Sequence, residues 1–205
     1  MVTVAENINR WVKTDSELTR KIVHIGSGNV VLLAWWLNIP GSVIIIAAMI
    51  AGIVAIASYF LPILPSINSV GRKSLGTFFY ATTIGLLIFC FWHPEQKYYA
   101  VMGILIMAWG DGLAAIIGQR FGKHTYQFLG SQKSWEGSSA MAGAAYVVSS
   151  LILLSAQGNC WQTWLFSVAI AIFATALEAF SKLGIDNLTV PLGSVALAFA
   201  LNQFF

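Results

Sequence analysis

Long apolar segments are the feature that most limits how this chain can fold. Each is close to the roughly 20 residues that an α-helix needs to cross a hydrocarbon core of about 30 Å. Only 9% of the 205 residues are charged, against about 25% in soluble domains. The sequence therefore predicts an all-α, polytopic integral membrane protein of about seven transmembrane helices in a single domain, residues 1–205. The predicted segments are 22–39, 42–61, 75–92, 98–118, 138–156, 162–181 and 188–205.

The basic residues gather on one side of these predicted helices. Of the 11 lysine and arginine residues, ten map to that side and only Lys97 maps to the other. Such a bias places the basic side in the cytoplasm. The polar segment 1–19 is therefore predicted to be cytoplasmic, and it has no apolar core of a signal peptide. Because this topology accounts for the net charge of +3, no nucleic-acid partner is expected.

One acid interrupts the fourth apolar segment. Asp111 lies between two glycines, and Ala114, Ala115 and Gly118 follow on the same side of the predicted helix. A charge inside a membrane is costly and is functional by default, and small residues let a helix or ligand approach the backbone. The alternative is a buried aspartate that packs against a lysine. We expect Asp111 to lie near the cytoplasmic end, where water and ions can reach it.

A glycine-rich, basic loop follows, from residue 118 to 137. It carries Arg120, Lys123 and Lys133, and it ends near Glu136. Backbone N–H groups and basic side chains in such loops bind phosphates, although the P-loop pattern is absent. Ser134 or Ser131 is expected to cap the next helix. Glu136 has an alternative role, because a carboxylate in the first turn of that helix is favourable by itself.

Five further polar residues, in three parts of the sequence, map to the same side of the membrane. Arg20 and His24 stand four residues apart, and they form either a cationic face for an anionic substrate or a headgroup anchor with a packed histidine. Glu178 is a charge within the sixth apolar segment. Asp186 and Asn187 follow it, and the alternative for Asn187 is to cap the last helix.

Four acids beyond the N-terminal segment, in a chain with only eight, thus map together with Lys133 to the cytoplasmic half of the predicted helices, and this predicts one site. Carboxylates beside lysines suit Mg²⁺ bound with a nucleoside triphosphate. Phosphoryl transfer needs the same groups plus a base or positioning residue for the attacking hydroxyl, and a membrane interface implies a lipid alcohol. The competing class is a transporter, which would more naturally have polar groups at the bilayer midplane. The four acids are Asp111, Glu136, Glu178 and Asp186.

Four motifs in this order resemble the polyprenol kinase family. The family includes phytol kinases, dolichol kinases and a CTP-dependent diacylglycerol kinase, and it is related to phosphatidate cytidylyltransferases. The order and spacing are most similar to the phytol kinase branch. The motifs are ELTRKIVHIGSG at 17–28, GDGLAAIIG at 110–118, KSWEGS at 133–138, and Glu178 followed by DNLTVPL at 186–192.

The resemblance implies transfer of the γ-phosphate of CTP, with Mg²⁺, to phytol or a related prenyl alcohol such as geranylgeraniol or farnesol. The choice of CTP over ATP depends on the resemblance alone. A cytidylyltransferase acting on a lipid phosphate and a transporter are the alternatives. On this basis the carboxylates are assigned to metal-binding, base or hydroxyl-orienting positions, namely Asp111, Glu136, Glu178 and Asp186. Lys133, with Arg120 or Lys123, is assigned to contact the triphosphate. Asn187 is assigned a polar contact, and Arg20 and His24 are assigned contacts with the phosphate or the hydroxyl.

Overall fold

The computed structural model describes residues 16–60, 75–128 and 131–204. Residues 1–15 of the predicted N-terminal segment 1–19 therefore lie outside the described residues. The elements, in chain order, are α1 (Ser16–Gly28), α2 (Val30–Trp36), α3 (Gly41–Phe60), α4 (Gly76–Phe91), α5 (Lys97–Leu105), a π-helix (Ile106–Asp111), α6 (Gly112–Phe121), β1 (Thr125–Phe128), β2 (Ser131–Ser134), α7 (Trp135–Gln157), α8 (Trp161–Ala179) and α9 (Asp186–Phe204).

Four helices in the described part of the chain are long and apolar enough to cross a membrane, namely Gly41–Ser58, Lys97–Phe121, Trp135–Gln157 and Trp161–Ala179. Helix α4 is apolar but has only 16 residues. The first predicted segment is divided into α1 and α2, of 13 and 7 residues. The prediction of an all-α polytopic membrane protein is confirmed, whereas the number of seven spans stays a prediction.

The continuous segment formed by α5, the π-helix and α6 is the centre of the bundle. In an 18-residue apolar stretch of its candidate span 72% of the residues are buried, against 11% for the span in α3. Helices α1, α4, α7 and α9 pack around this central segment, and α3 contacts α4 at the periphery. Asp111 is therefore held on the most enclosed of the four candidate spans in the described part of the chain.

The central segment changes its helical geometry immediately before the predicted site. Residues Ile106–Asp111 form a π-helical turn, and α6 continues from Gly112. Because a π turn takes more residues than an α turn, it changes the face on which the following side chains lie. Such turns occur frequently at functional sites, and this one ends at Asp111.

The predicted glycine-rich loop contains a β-hairpin. Strands β1 and β2 are antiparallel, and Gln127 is paired with Gln132. The Tyr126 hydroxyl is 2.7 Å from the Ser138 Oγ, which fastens the hairpin to the first turns of α7. The Ser134 side chain accepts a hydrogen bond from the Gly137 N–H at 3.1 Å, so the predicted cap of this helix is confirmed. The hairpin gives the loop residues fixed positions beside α7.

Candidate active site

One cavity brings together half of the residues predicted from the sequence. Its volume is about 1070 Å³, and α1, α6, the hairpin, the end of α8 and the start of α9 all contribute to its wall. Ala114, Ala115 and Gly118 form a small-residue part of that wall, as their spacing predicted. The charged lining residues are Arg20, Lys21, Asp111, Lys133, Glu178, Lys182 and Asp186.

Asp111 forms the first of two ion pairs in this cavity. The Lys21 Nζ donates a hydrogen bond to Asp111 Oδ2 at 2.6 Å, and each side chain is only 9% exposed. This is the contact of the packed-aspartate alternative, but both partners line the cavity and are therefore accessible to a ligand. Lys21 was not among the predicted site residues. Its position within the first motif, next to Arg20, was the available signal.

His24 lies behind Asp111 and does not line the cavity. Its Nε2 is 3.5 Å from Asp111 Oδ2 and 3.3 Å from the Met107 carbonyl oxygen. The ring packs against Tyr80 at a centroid distance of 4.3 Å, and the Tyr80 hydroxyl donates to the His24 carbonyl at 3.0 Å. These contacts suit a residue that positions the carboxylate of Asp111 rather than one that touches a ligand.

Glu178 and Lys133 form the second ion pair. Lys133 on β2 donates through its Nζ to Glu178 Oε1 near the end of α8. Glu178 is 4% exposed, and its Oε2 has no hydrogen-bond partner among the described residues. Burial lowers the pKa of Lys133, but the negative charge of Glu178, helped by Asp186 and Asp111, raises that pKa above its usual value. Lys133 is therefore fully charged at neutral pH.

Asp186 and Asn187, although adjacent, have different surroundings. Asp186 lines the cavity, and its Oδ1 accepts the Asn187 backbone N–H at 3.0 Å. The Asn187 side chain is directed toward α4, where its Nδ2 donates to the Gly76 carbonyl at 3.2 Å. Thr83 donates in turn to the Asn187 carbonyl at 2.8 Å. Asn187 thus fastens the start of α9 to α4 and is not part of the cavity wall.

The remaining predicted residues lie outside the cavity wall. Arg120 and Lys123 are exposed, and neither lines the cavity. Glu136 contacts the base of the hairpin, where its Oε1 is 2.8 Å from His124 Nδ1. The carboxylate also accepts the His124 backbone N–H at 3.3 Å. In this arrangement Glu136 stabilises the junction of the hairpin with α7.

Glycines allow α1 to lie directly against the element that carries Asp111. A Cβ added to Gly28 would be 2.3 Å from the Cβ of Ala108 and 3.0 Å from the Tyr80 hydroxyl. A Cβ on Gly112 would be 2.5 Å from Ile25 Cγ1. Both glycines belong to the sequence motifs, and this close approach places Lys21 within reach of Asp111.

Replacing Gly28 by alanine is therefore expected to destabilise the protein by about 1–3 kcal/mol, the usual cost of overpacking. The activity should fall too, because α1 must move away from Asp111. Thermal unfolding in detergent and an activity assay test this. Gly143→Ala is the matched control, since nothing lies within 4 Å of its added Cβ. Equal stability of the two variants would contradict the close packing of α1.

The carboxylates of the cavity fit a metal ion that arrives with phosphates. The described residues contain no group of three or more His, Cys, Asp or Glu side chains that could hold a metal ion by themselves. Mg²⁺ usually takes one or two carboxylates plus phosphate oxygens and waters. Asp111, Glu178 and Asp186 line the same cavity, and Glu178 has a buried oxygen without a protein partner among the described residues. These three residues are the ones that would hold it.

Comparison with known proteins identifies the family. The chain is 52% identical to the phytol kinase of Synechocystis sp., over 98% of this chain and 86% of that relative. It belongs to the phytol kinase family. A probable phytol kinase 2, chloroplastic, of Oryza sativa subsp. japonica is 32% identical, over 88% of this chain and 64% of the relative. Phytol kinase 1, chloroplastic, of Arabidopsis thaliana is 29% identical, over 97% and 71%.

No family model and no solved structure matches the chain. The relatives nevertheless confirm the resemblance to the phytol kinase branch, because the match to the Synechocystis protein covers nearly the whole chain. That match spans all four motifs of this chain.

Proposed function

We propose that this protein transfers the γ-phosphoryl group of a nucleoside triphosphate, CTP, to phytol or a related prenyl alcohol, with Mg²⁺ as cofactor. The observation that supports this most is the pair of lysine–carboxylate contacts, Lys21 with Asp111 and Lys133 with Glu178, in one cavity. Phosphoryl transfer uses cations on the phosphates and carboxylates for the metal and the attacking hydroxyl. The family supplies the alcohol, since its curated members are named phytol kinases.

The roles follow from the positions of the side chains. Lys133 and Lys21, with Arg20, are the cations that contact the triphosphate, because all three line the cavity. Glu178 and Asp186 are the positions for the metal, and Mg²⁺ when bound would neutralise charge on the phosphates. Asp111 orients the alcohol or completes the metal site. The hydroxyl oxygen forms a bond to the γ-phosphorus, its proton passes to a carboxylate, and CDP leaves.

The distribution of charge supports a cytoplasmic site. Arg20, Lys21, Lys133 and Lys182 all line the cavity. Lys97 belongs to the opposite end of the bundle, where its Nζ donates to Asn38 Oδ1 at 3.1 Å in the turn before α3. Because basic residues favour the cytoplasmic side, we infer that the cavity opens there and that the alcohol enters from the headgroup region.

A transporter is less well supported by the same observations. Its substrate path would need polar groups near the bilayer midplane. The part of the central segment between Lys97 and the π-helix instead carries fully buried apolar side chains, including Val101, Met102 and Ile104. The acids and lysines that line a cavity are gathered at one end. This arrangement favours chemistry at an interface over passage through the bilayer.

The decisive experiment uses purified protein in mixed detergent–lipid micelles with Mg²⁺ and CTP labelled at the α- or the γ-phosphate. One set of tubes contains phytol and the other phosphatidate. We expect label in the organic phase from γ-labelled CTP only, and only with phytol. Label from α-labelled CTP that requires phosphatidate would instead identify a cytidylyltransferase.

The same assay tests the donor and the acceptor separately. Replacing CTP by ATP measures the donor preference, and replacing phytol by geranylgeraniol or farnesol measures the acceptor range. No transfer with any of these nucleotides and alcohols would overturn the kinase proposal and favour transport.

A further inference from the structure

The cavity wall has a charged part and an uncharged polar part. The charged part comprises the two ion pairs with Arg20, Lys182 and Asp186. The uncharged part lies on the end of α6 and on the hairpin. Its members that carry amide or hydroxyl groups are Gln119, Thr125, Gln127, Ser131, Gln132 and Ser134. A single ligand with one charged end and one neutral, hydrogen-bonding end fits this division.

Two of the glutamines are direct neighbours. Gln127 on β1 is the register partner of Gln132 on β2. Directly opposed residues of an antiparallel pair lie on the same face, with Cβ atoms about 4.5–5.5 Å apart. Both residues are exposed and line the cavity. The hairpin therefore presents two adjacent primary amides to the cavity.

The two amides do not serve to hold the described part of the protein together by hydrogen bonds. Neither Gln127 nor Gln132 has a side-chain hydrogen bond to another described residue, whereas Tyr126 and Ser131 hold the hairpin through Ser138 and the Ser181 carbonyl. Each amide offers two donors and an acceptor oxygen. The pair is thus available to a ligand without loss of a contact that stabilises the hairpin.

We propose that Gln127 and Gln132 form the subsite that binds the nucleobase of the phosphate donor. This inference rests on the proposed function, which supplies a nucleoside triphosphate as ligand. Glutamine amides pair with the donor and acceptor groups on nucleobase edges, as in pockets that read an unpaired base by its Watson–Crick edge. Gln119, on the last turn of α6, lies on the same uncharged wall.

The neighbouring residue in β2 makes the assignment consistent with the phosphate site. Lys133 directly follows Gln132, so the two side chains leave opposite faces of the strand, but both residues line the same cavity, where Lys133 pairs with Glu178. A nucleotide bound across this boundary would contact the lysine with its phosphates and the glutamines with its base. The volume of about 1070 Å³ is slightly above the range of about 300–1000 Å³ for small-ligand pockets, which leaves room for a nucleotide.

The test compares Gln127→Met, Gln132→Met and the double variant with wild type, because methionine keeps the length but cannot form the amide contacts. Gln203→Met, at the far end of α9, is the matched control. Dissociation constants are measured for CTP, UTP, ATP and inorganic tripolyphosphate with Mg²⁺, so the result does not depend on turnover. Thermal unfolding checks that each variant is folded.

We expect each substitution to reduce the preference of the protein for its best nucleotide by about tenfold. Affinity for tripolyphosphate, which has no base, should stay unchanged. An unchanged nucleotide preference in the double variant would overturn the subsite. So would an equal loss of affinity for tripolyphosphate and all nucleotides, since the glutamines would then contact phosphate.

The kinase proposal fails separately. Wild-type protein that binds nucleotides with a base preference, but transfers no phosphate to any alcohol, would refute the kinase and leave the base subsite intact. If wild-type protein bound tripolyphosphate as tightly as it binds every nucleotide, the base subsite would be refuted. The kinase proposal would then still be tested by the labelling assay.

Discussion

Asp111→Asn is expected to lower kcat by about 10³-fold or more, as removal of a group that moves a proton or binds the metal does. Asparagine has nearly the same shape as aspartate, and its oxygen can still accept the hydrogen bond that Lys21 donates at 2.6 Å in the native protein. The π-helix and α1 should therefore keep their places, although thermal stability should fall because the buried Lys21 loses its counter-ion. The negative charge is lost, however, and with it the ability to bind Mg²⁺ or accept a proton.

The measurement is the initial rate of phosphoryl transfer to phytol at saturating nucleotide, together with thermal unfolding in detergent. Glu95→Gln provides the matched control, because it makes the same chemical change at an exposed position in the turn before α5. It should leave kcat unchanged. A folded Asp111→Asn protein with near-normal kcat would contradict the central role assigned to Asp111.

Much of the fold could be predicted because burial in a membrane requires long apolar runs. The segments at 98–118, 138–156 and 162–181 correspond to the helical span Lys97–Phe121, to α7 and to α8. The break between α1 and α2 could not be predicted from hydropathy, since residues 22–39 are apolar on both sides of it. In the structure Asn29 occupies this break, and its Oδ1 accepts the Trp109 indole N–H at 3.1 Å. That contact joins residues 80 positions apart.

Part of the candidate site could be predicted from the free-energy cost of placing a charged side chain in an apolar segment. A charge in an apolar segment needs a reason, and this argument found Asp111 and Glu178, which line the cavity. It did not find Lys21, because a lysine near the end of a membrane helix is ordinarily explained by contact with the lipid headgroups. The contact of Glu136 with His124 could not be predicted from the sequence either, because it depends on the hairpin that brings His124 close to Glu136.

Lys133→Met is expected to raise the nucleotide KM by about 10- to 100-fold, the loss of a charge-assisted contact of about 1.5–3 kcal/mol to phosphate. It should also destabilise the protein. Glu178 is 4% exposed, and an unpaired buried charge costs about 3–5 kcal/mol. The matched control is Lys123→Met, which removes the same charge from an exposed residue that does not line the cavity. Its KM and stability should match wild type.

The double variant Lys133→Met/Glu178→Gln separates the two effects of the lysine. Removing both charges eliminates the unpaired carboxylate, so thermal stability should return toward that of wild type. Nucleotide affinity, measured without Mg²⁺ so that loss of the proposed metal position at Glu178 does not contribute, should stay low, because no cation at residue 133 remains to contact the phosphates. If affinity returned with stability, Lys133 would serve only to neutralise Glu178, and the triphosphate would have to be held by Arg20 and Lys21 of α1. Persistent loss of affinity in a stable protein would instead mean that Lys133 exchanges its carboxylate partner for phosphate when the nucleotide binds.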